Sequence, residues 1–411
     1  MHILYIHQHF TTPEGAGGTR SYEFSKQLVK EGHNVTLLCG SHENGDSGLI
    51  GQFVRGVRRG VVESINIIEM EISYSSKDNF FKRSVIFFRF AWKSTFIALT
   101  MKYDLIFCTS TPLTVAIPGI LSHWLRNKVF VFEVRDLWPE LPKEMRVITN
   151  PFVLMILSSL EWISYRSADA CIGLSPGIVE GIERKGVKPA KIEMIPNGSD
   201  IDLHQISPKR SVENFQRKND VLQAVFTGAH GIANGLNAVI DTAVELQTRG
   251  RQDVKFNLIG NGMLKPELME RTRKEKLTNI EFNDPISKYN LVEELKTMDV
   301  GLMILADIPA FYYGTSPNKF FDYIASGLPI LINYPGWLAS LIEERECGIY
   351  VPPGDSAAFA DAMEQFAENR DMLKVMGDNA YQLALTEFER GKLSKKFINL
   401  LMKTYQNEKN S

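Results

Sequence analysis

The 411-residue sequence is short of cysteine, of long apolar runs and of net charge, and each shortage excludes something. Its four cysteines, Cys39, Cys108, Cys171 and Cys347, are far apart and form no C-x-x-C pair, so neither a zinc knuckle nor a redox dithiol is indicated. Cysteines set in apolar runs such as LIFCTS and DACIGLS read as small core residues in a reducing compartment. No uncharged apolar run reaches the roughly 18–20 residues of a membrane-crossing helix. The opening MHILYIHQHF has neither a basic n-region nor a small-residue cleavage site, so it reads as a strand and a cytoplasmic chain is expected. A net charge of −2 gives no field that would favour nucleic acid. There is no D-x-D-type clamp and no His/Cys cluster, so no metal is expected. His7 and His9, flanking the first loop, read as local hydrogen-bonding residues.

Hydrophobic residues make up 44% and charged residues 23% of the chain, a globular composition. The length exceeds one ordinary core and suggests two domains of roughly 200 residues. Apolar runs alternate with helical patterns throughout: ILYIH, NVTLLCG, INIIEM, DLIFCTS, VFVFEV, ACIGLS and IEMIPNG in the first half, then LQAVFTG, KFNLIG, IEFND, VGLMIL, LPILINY and GIYVPP. Helices are expected at Thr19–Lys30, Phe81–Met101, Thr114–Leu125 and Pro151–Arg166. This is the pattern of an α/β chain with two Rossmann-like, doubly wound parallel sheets. The domains are expected at 1–204 and 221–388, joined by the polar segment 205–220, with a final helix over 389–411 packing back on the first. Ligands of such sheets bind beyond the carboxyl ends of the strands, which predicts a site in a cleft where the two domains face each other.

Three glycine or proline turns stand where that geometry needs them. The first strand leads through TTPEGAGGTR, with Gly17 and Gly18 just before a helix whose N-terminus offers unpaired N–H groups. The spacing is not G-x-G-x-x-G and no acid closes NVTLLCG, so a simple dinucleotide fold is disfavoured. The second domain opens on VFTGAHGIANGL, where the amides of Gly228, His230 and Gly231 are placed to cradle a diphosphate. Plain tight turns would explain these glycines equally well. In TSPNKFFDYIASG, Pro317 suits a helix start with Ser316 as cap, and Gly327 a stop. Lys319 and Asp322 then share one face, a cation for phosphate and a carboxylate for two ribose hydroxyls, or else an ordinary i, i+3 ion pair. The stretch Phe80–Tyr103 holds five basic residues, no acid, and seven Phe and Trp. It fits a helix lying on an anionic membrane surface, or one packed on the sheet with a solvated basic edge.

Taken together, RSYEFSKQLVKEGHNVTLL, TSTPLTVAIPG, FEVRDLWPELP, LSSLEWISYRSADACIGLS, IPNGSD, TGAHGIANGL, LIGNGMLKPEL and PNKFFDYIASGLPIL resemble glycosyltransferase family 4, the retaining enzymes of GT-B fold. The resemblance spans nearly the whole chain and is nearest the branch that adds amino- and deoxy-sugars, N-acetylfucosaminyltransferases among them, in O-antigen and capsule assembly. It implies a metal-independent transfer from a UDP-sugar to a polyprenyl diphosphate-linked saccharide, at the inner face of a membrane. It carries over Asp322 as the second acid of the family's E-x7-E motif. The first acid falls at Gly314, so donor-sugar contacts pass to the Thr315, Ser316, Pro317, Asn318 turn. Asn234 stands where many relatives have a lysine, which leaves charge compensation to Lys319, with Arg20 and Lys265 as further candidates. Pro285 and Ile286 match the loop that packs on the base, and Asp136 in VRDLWP the polar residue near the reacting carbon. A UDP-sugar 2-epimerase of the same fold, and a nucleotide-sugar-binding protein without turnover, are the alternatives.

Overall fold

The computed structural model describes residues 1–74, 80–204 and 221–410. The polar segment 205–220, read above as a linker, lies outside the described residues. The chain forms two compact units: Met1–Pro196 with Tyr313–Ser316 and Gly391–Ser411, and Asn197–Tyr312 with Pro317–Arg390.

The first unit is built on eight strands: β1 (His2–Ile6), β2 (Asn34–His42), β3 (Val57–Val62), β4 (Ile65–Tyr74), β5 (Leu105–Thr109), β6 (Val129–Val134), β7 (Ala170–Gly173) and β8 (Ile192–Met194). Their order is β3-β4-β2-β1-β5-β6-β7-β8, and β3 alone runs antiparallel. β5 and β6 are buried along their whole length, as strands covered on both faces must be, and this is why they read as Val, Ile, Leu and Phe interrupted only by Cys108, Thr109 and Glu133. The last helix, Arg390–Asn410, contributes to this same core. Phe397 stacks on Phe24 at 4.5 Å and meets Phe107 edge-on at 4.9 Å.

The second unit carries β9 (Leu222–Thr227), β10 (Val254–Ile259), β11 (Ile280–Asn283), β12 (Val300–Met303), β13 (Ile330–Ile332) and β14 (Gly348–Tyr350). All pair in parallel in the order β11-β10-β9-β12-β13-β14, the doubly wound arrangement in which chain direction across the sheet reverses beside the first strand. In both units the reversal falls beside the first strand, between β1 and β5 and between β9 and β12. That puts the residues following β1, β5, β6 and β9 where ligands of such sheets bind.

Candidate functional site

In the second unit the loops after β9 and β10 touch backbone to backbone. Gly228 (φ +140°) and Gly260 (φ +152°) both adopt conformations closed to side chains, and a Cβ on Gly260 would fall 1.8 Å from the Gly228 carbonyl oxygen. The contact uses up two of the three amides expected to cradle a phosphate. Gly228 N–H donates to Ile259 O at 3.0 Å and His230 N–H to Asn261 O at 2.9 Å. The amide cradle is corrected accordingly: these two donors hold one loop to the next. The His230 ring is buried, and neither of its nitrogens finds a partner among the described residues. Burial, then Lys265 and Lys319, lowers its pKa to about 4, so the imidazole is neutral. Gly231 is half-buried, with open space where a Cβ would stand.

Over this turn stands Lys319, one residue into the helix Asn318–Ala325. Its Nζ lies 3.6 Å from the centre of the Phe226 ring and 3.2 Å from Asn234 Oδ1. The Asn234 amide in turn donates to Ala229 O at 2.7 Å. A Cβ on Gly228 would come within 3.3 Å of Nζ, so the glycine also makes room for the ammonium. Among the described residues no carboxylate comes within 4 Å of Lys319. Burial without a counter-charge lowers its pKa to about 7. A cation so placed gains on meeting an anion.

Asp322 does not share this environment, and no Lys319–Asp322 ion pair forms. The carboxylate turns into the unit, where Lys288 Nζ donates to its Oδ1. Lys288 also lies 3.7 Å from Asp200, and Arg390 Nε donates to Asp200 at 2.7 Å. All four side chains are buried. Burial alone would raise the pKa of Asp200, but Arg390 and Lys288 outweigh it and hold it at about 2. Asp322 is raised, by burial first, with Lys288 offsetting it only in part. A carboxylate open to two hydroxyls is thus corrected to one with a single oxygen not held by Lys288.

The preceding turn is divided, Thr315 and Ser316 belonging to the first unit and Pro317 and Asn318 to the second. Ser316 is not the helix cap; Pro317 occupies that position in extended conformation and no side chain caps the helix. Pro285 and Ile286 follow β11, half-buried, on the edge that carries Gly228 and Gly260. Lys265 is spent within this edge. Its ammonium donates to Gly260 O (3.0 Å), Asn283 O (2.9 Å) and Asp284 Oδ1 (2.8 Å), which accounts for all three donors, so a diphosphate role is corrected to a loop-fastening one.

In the first unit Asp136 follows β6 and accepts from Thr111 Oγ1 at 2.8 Å. Burial raises its pKa, opposed by Thr111 and Arg135. Gly17 is exposed and Gly18 half-buried just ahead of the helix Arg20–Lys30. Arg20 itself is 0% exposed, bound to Glu133 through Nε (2.9 Å) and Nη2 (2.7 Å) and to the carbonyls of Ile195 and Pro196. It fastens the first helix to β6 and the end of the unit, which corrects its reading as a phosphate contact. The sequence reading did not single out Lys288, Asp200, Arg390 or Glu133. Each lies far in sequence from its partner, and only a signal for buried charge would have marked them.

Residues 17–203 match the description Glycosyltransferase Family 4 and residues 222–369 match Glycosyl transferases group 1. Among solved structures the chain is similar to sucrose-phosphate synthase from Thermosynechococcus elongatus (16% identity, 99% of each chain, TM-score 0.75). It is also similar to the Anabaena protein HepE in complex with UDP (16%, 98% of this chain and 100% of that one, TM-score 0.68). These likenesses show the GT-B fold. An alpha-D-kanosaminyltransferase from Streptomyces kanamyceticus is 24% identical over 168 residues, 40% of this chain and 41% of that protein, so the match spans about two fifths of that relative's length.

Lys288→Ala removes one partner from a buried ion pair and is expected to destabilise the second unit by about 3–5 kcal/mol. Urea unfolding followed by circular dichroism measures this; a loss under about 1 kcal/mol would mean that the network carries no structural weight.

Proposed function

This chain belongs to glycosyltransferase family 4, and we propose on that premise that it moves a sugar from a UDP-sugar to a polyprenyl diphosphate-linked saccharide, with retention and without a metal. The observation that carries the reading is Lys319, a half-buried ammonium held over the Gly228 turn with no carboxylate partner among the described residues. Breaking a sugar–phosphate bond gathers negative charge on the leaving diphosphate, and a fixed cation in a dry setting stabilises that charge as it grows. The cation comes from residue 319, with Asn234 as its hydrogen-bonded support, because position 234 itself carries no charge. UDP bound to the Anabaena relative supports a uridine donor. The base rests on Pro285 and Ile286, the ribose takes Asp322 through the oxygen that Lys288 does not hold, and Gly17, Gly18, Gly231 and the turn Thr315–Asn318 border the donor. Asp136, with its pKa raised, sits at the carboxyl edge of β6 and orients the acceptor hydroxyl or eases charge on the sugar ring. The kanosaminyltransferase relative supports an amino sugar as the transferred group, in keeping with the O-antigen and capsule branch.

The acceptor's lipid places the enzyme on the inner face of a membrane. Among the described residues no helix is long and apolar enough to cross one. The helix Phe80–Thr100 instead exposes Phe81, Phe88, Trp92 and Phe96 along one stripe (63–79% exposed), with Lys82, Arg89 and Lys93 along its edge. The neighbouring helices Ala116–Arg126 and Pro151–Ser167 add exposed Trp124, Leu125, Phe152 and Met155. Apolar bulk edged with positive charge suits an anionic lipid surface.

The primary experiment incubates the protein with labelled UDP-sugars and a diphosphate-linked acceptor. Transfer is expected, falling about 10²–10⁴-fold in Asp136→Asn; donor isomerisation without transfer would make it a 2-epimerase, and binding without turnover a non-catalytic relative.

Lys319 gives a pH prediction. Free, it is mostly neutral at pH 8, because its pKa is lowered to about 7; beside a diphosphate the ammonium form is favoured again. UDP binding at pH 8 should therefore take up close to one proton, and affinity should weaken as pH rises above 7. Calorimetry in buffers of different ionisation enthalpy reads the uptake, and its persistence in Lys319→Met would remove the assignment.

For the membrane face, Phe88→Asp with Trp92→Asp should lower binding to anionic vesicles at least about tenfold, since each buried aromatic is worth about 1.5–3 kcal/mol. Unchanged co-sedimentation would take this helix out of the interface.

A further inference from the structure

Arginines in the protein's interior are met by carboxylates: Arg20 by Glu133 and Arg390 by Asp200. Arg135 is different. It leaves the carboxyl end of β6 half-buried, its backbone N–H donating to Ser110 Oγ at 2.9 Å, and its Nη1 meets Nε2 of His7 at 3.3 Å. Among the described residues no carboxylate comes within 4 Å of its guanidinium. The candidate acids are engaged elsewhere, Glu133 by Arg20 and Thr109, and Asp136 by Thr111.

His7 is 3% exposed, and its Nδ1 has no partner among the described residues. Burial and then Arg135 push its pKa well below the usual range, so the ring is neutral; Nε2 accepts from Arg135 and Nδ1 carries the proton. An imidazole in this state can fix the direction of a guanidinium but cannot neutralise it. A planar fork of five donors, anchored through one and otherwise unmatched in charge, is the chemistry of an oxyanion receptor, phosphate above all. Its place, after β6 and beside the β1–β5 reversal, is where ligands of this sheet bind. Asp136 is the adjoining residue, so a group that takes hydroxyls and a group that takes anions leave the same strand side by side.

We propose that Arg135, oriented by His7, binds the acceptor's diphosphate, so that this unit reads a saccharide joined through phosphate and discriminates against a neutral glycan. The proposal rests on the transfer reaction above. It makes Arg135 a specificity-determining residue, with His7 as the residue that positions it. The same chemistry could be supplied by the donor's own diphosphate, and the experiment has to separate the two.

Two acceptors serve, used with the full-length protein: a monosaccharide joined through diphosphate to a short prenyl chain, and the same monosaccharide as an alkyl glycoside. Arg135→Ala should raise KM for the diphosphate acceptor about 10- to 100-fold, as loss of charge-assisted hydrogen bonds does. It should leave the calorimetric Kd for UDP and the alkyl glycoside KM within about threefold; any change in kcat passes through the adjoining Asp136, whose raised pKa Arg135 opposes, and falls on both acceptors alike. Arg135→Lys should recover part of the KM loss. An equal rise in KM for both acceptors would make Arg135 structural, and weakened UDP binding would move it to the donor; either result overturns the proposal. A second measurement needs no turnover: inorganic pyrophosphate titrated into protein already saturated with UDP. Binding by wild type that Arg135→Ala abolishes supports the site even if no transfer is observed, in which case the reaction assignment alone fails. Absence of that binding in wild type, or its survival in a folded Arg135→Ala protein, rejects the site.

Discussion

Four buried charges hold the second unit in register. Asp200 stands near its beginning and Arg390 at its end, with Lys288 and Asp322 between. Two acids and two bases cancel, and the cancellation is what makes the arrangement tolerable, because a lone charge in such surroundings would be expelled or neutralised. The consequence for the site is positional. Asp322 is fixed to Lys288, so the helix that carries it cannot rotate, and Lys319 one turn earlier is fixed over Gly228. Lys319 is therefore unpaired because Asp322, the nearest acid on its own helix, is committed elsewhere. Structural pairing in the middle of a short helix leaves reactive charge in its first turn.

The first unit is built on the same division. Arg20 and Glu133 saturate one another inside, while Arg135 and Asp136, two and three residues along the same strand and turn, face the carboxyl edge with lighter constraints. Glu133 lies within β6 and is saturated by Arg20, whereas Arg135 and Asp136 lie beyond its last residue, Val134, so the end of the strand separates the structural acid from the two residues left at the carboxyl edge.

Much of this fold was legible because both sheets are parallel. Strands covered on both faces must be apolar throughout, so thirteen of the fourteen observed strands stand out as short Val, Ile and Leu runs. The missed strand, β3, reads VRRGVV; it is an antiparallel edge with several residues half-exposed, and nothing in its pattern separates it from a loop. The turns after β1 and β9 were legible as glycine clusters, but the use of their amides was not. Whether a Gly228 or His230 N–H faces a ligand or the next loop depends on Ile259 and Asn261, thirty residues downstream. Arg20 and Lys265 were misjudged, and the pairing of Asp322 was missed, for a shared reason. A charged residue near a glycine turn looks the same in sequence whether its partner is a substrate or a buried residue far along the chain, such as Glu133 or Lys288.

The final helix has a bearing on how the protein comes into being. Phe397 completes the aromatic cluster of Phe24 and Phe107, yet the whole of the second unit is translated between them. At about 5–20 residues per second, the first unit waits about 10–40 s with that cluster open before its last piece leaves the ribosome. During that interval an apolar groove on nascent chain is available to chaperones or to other nascent chains. Rapid folding of the second unit shortens nothing here, since the delay is set by the order in which the message is read.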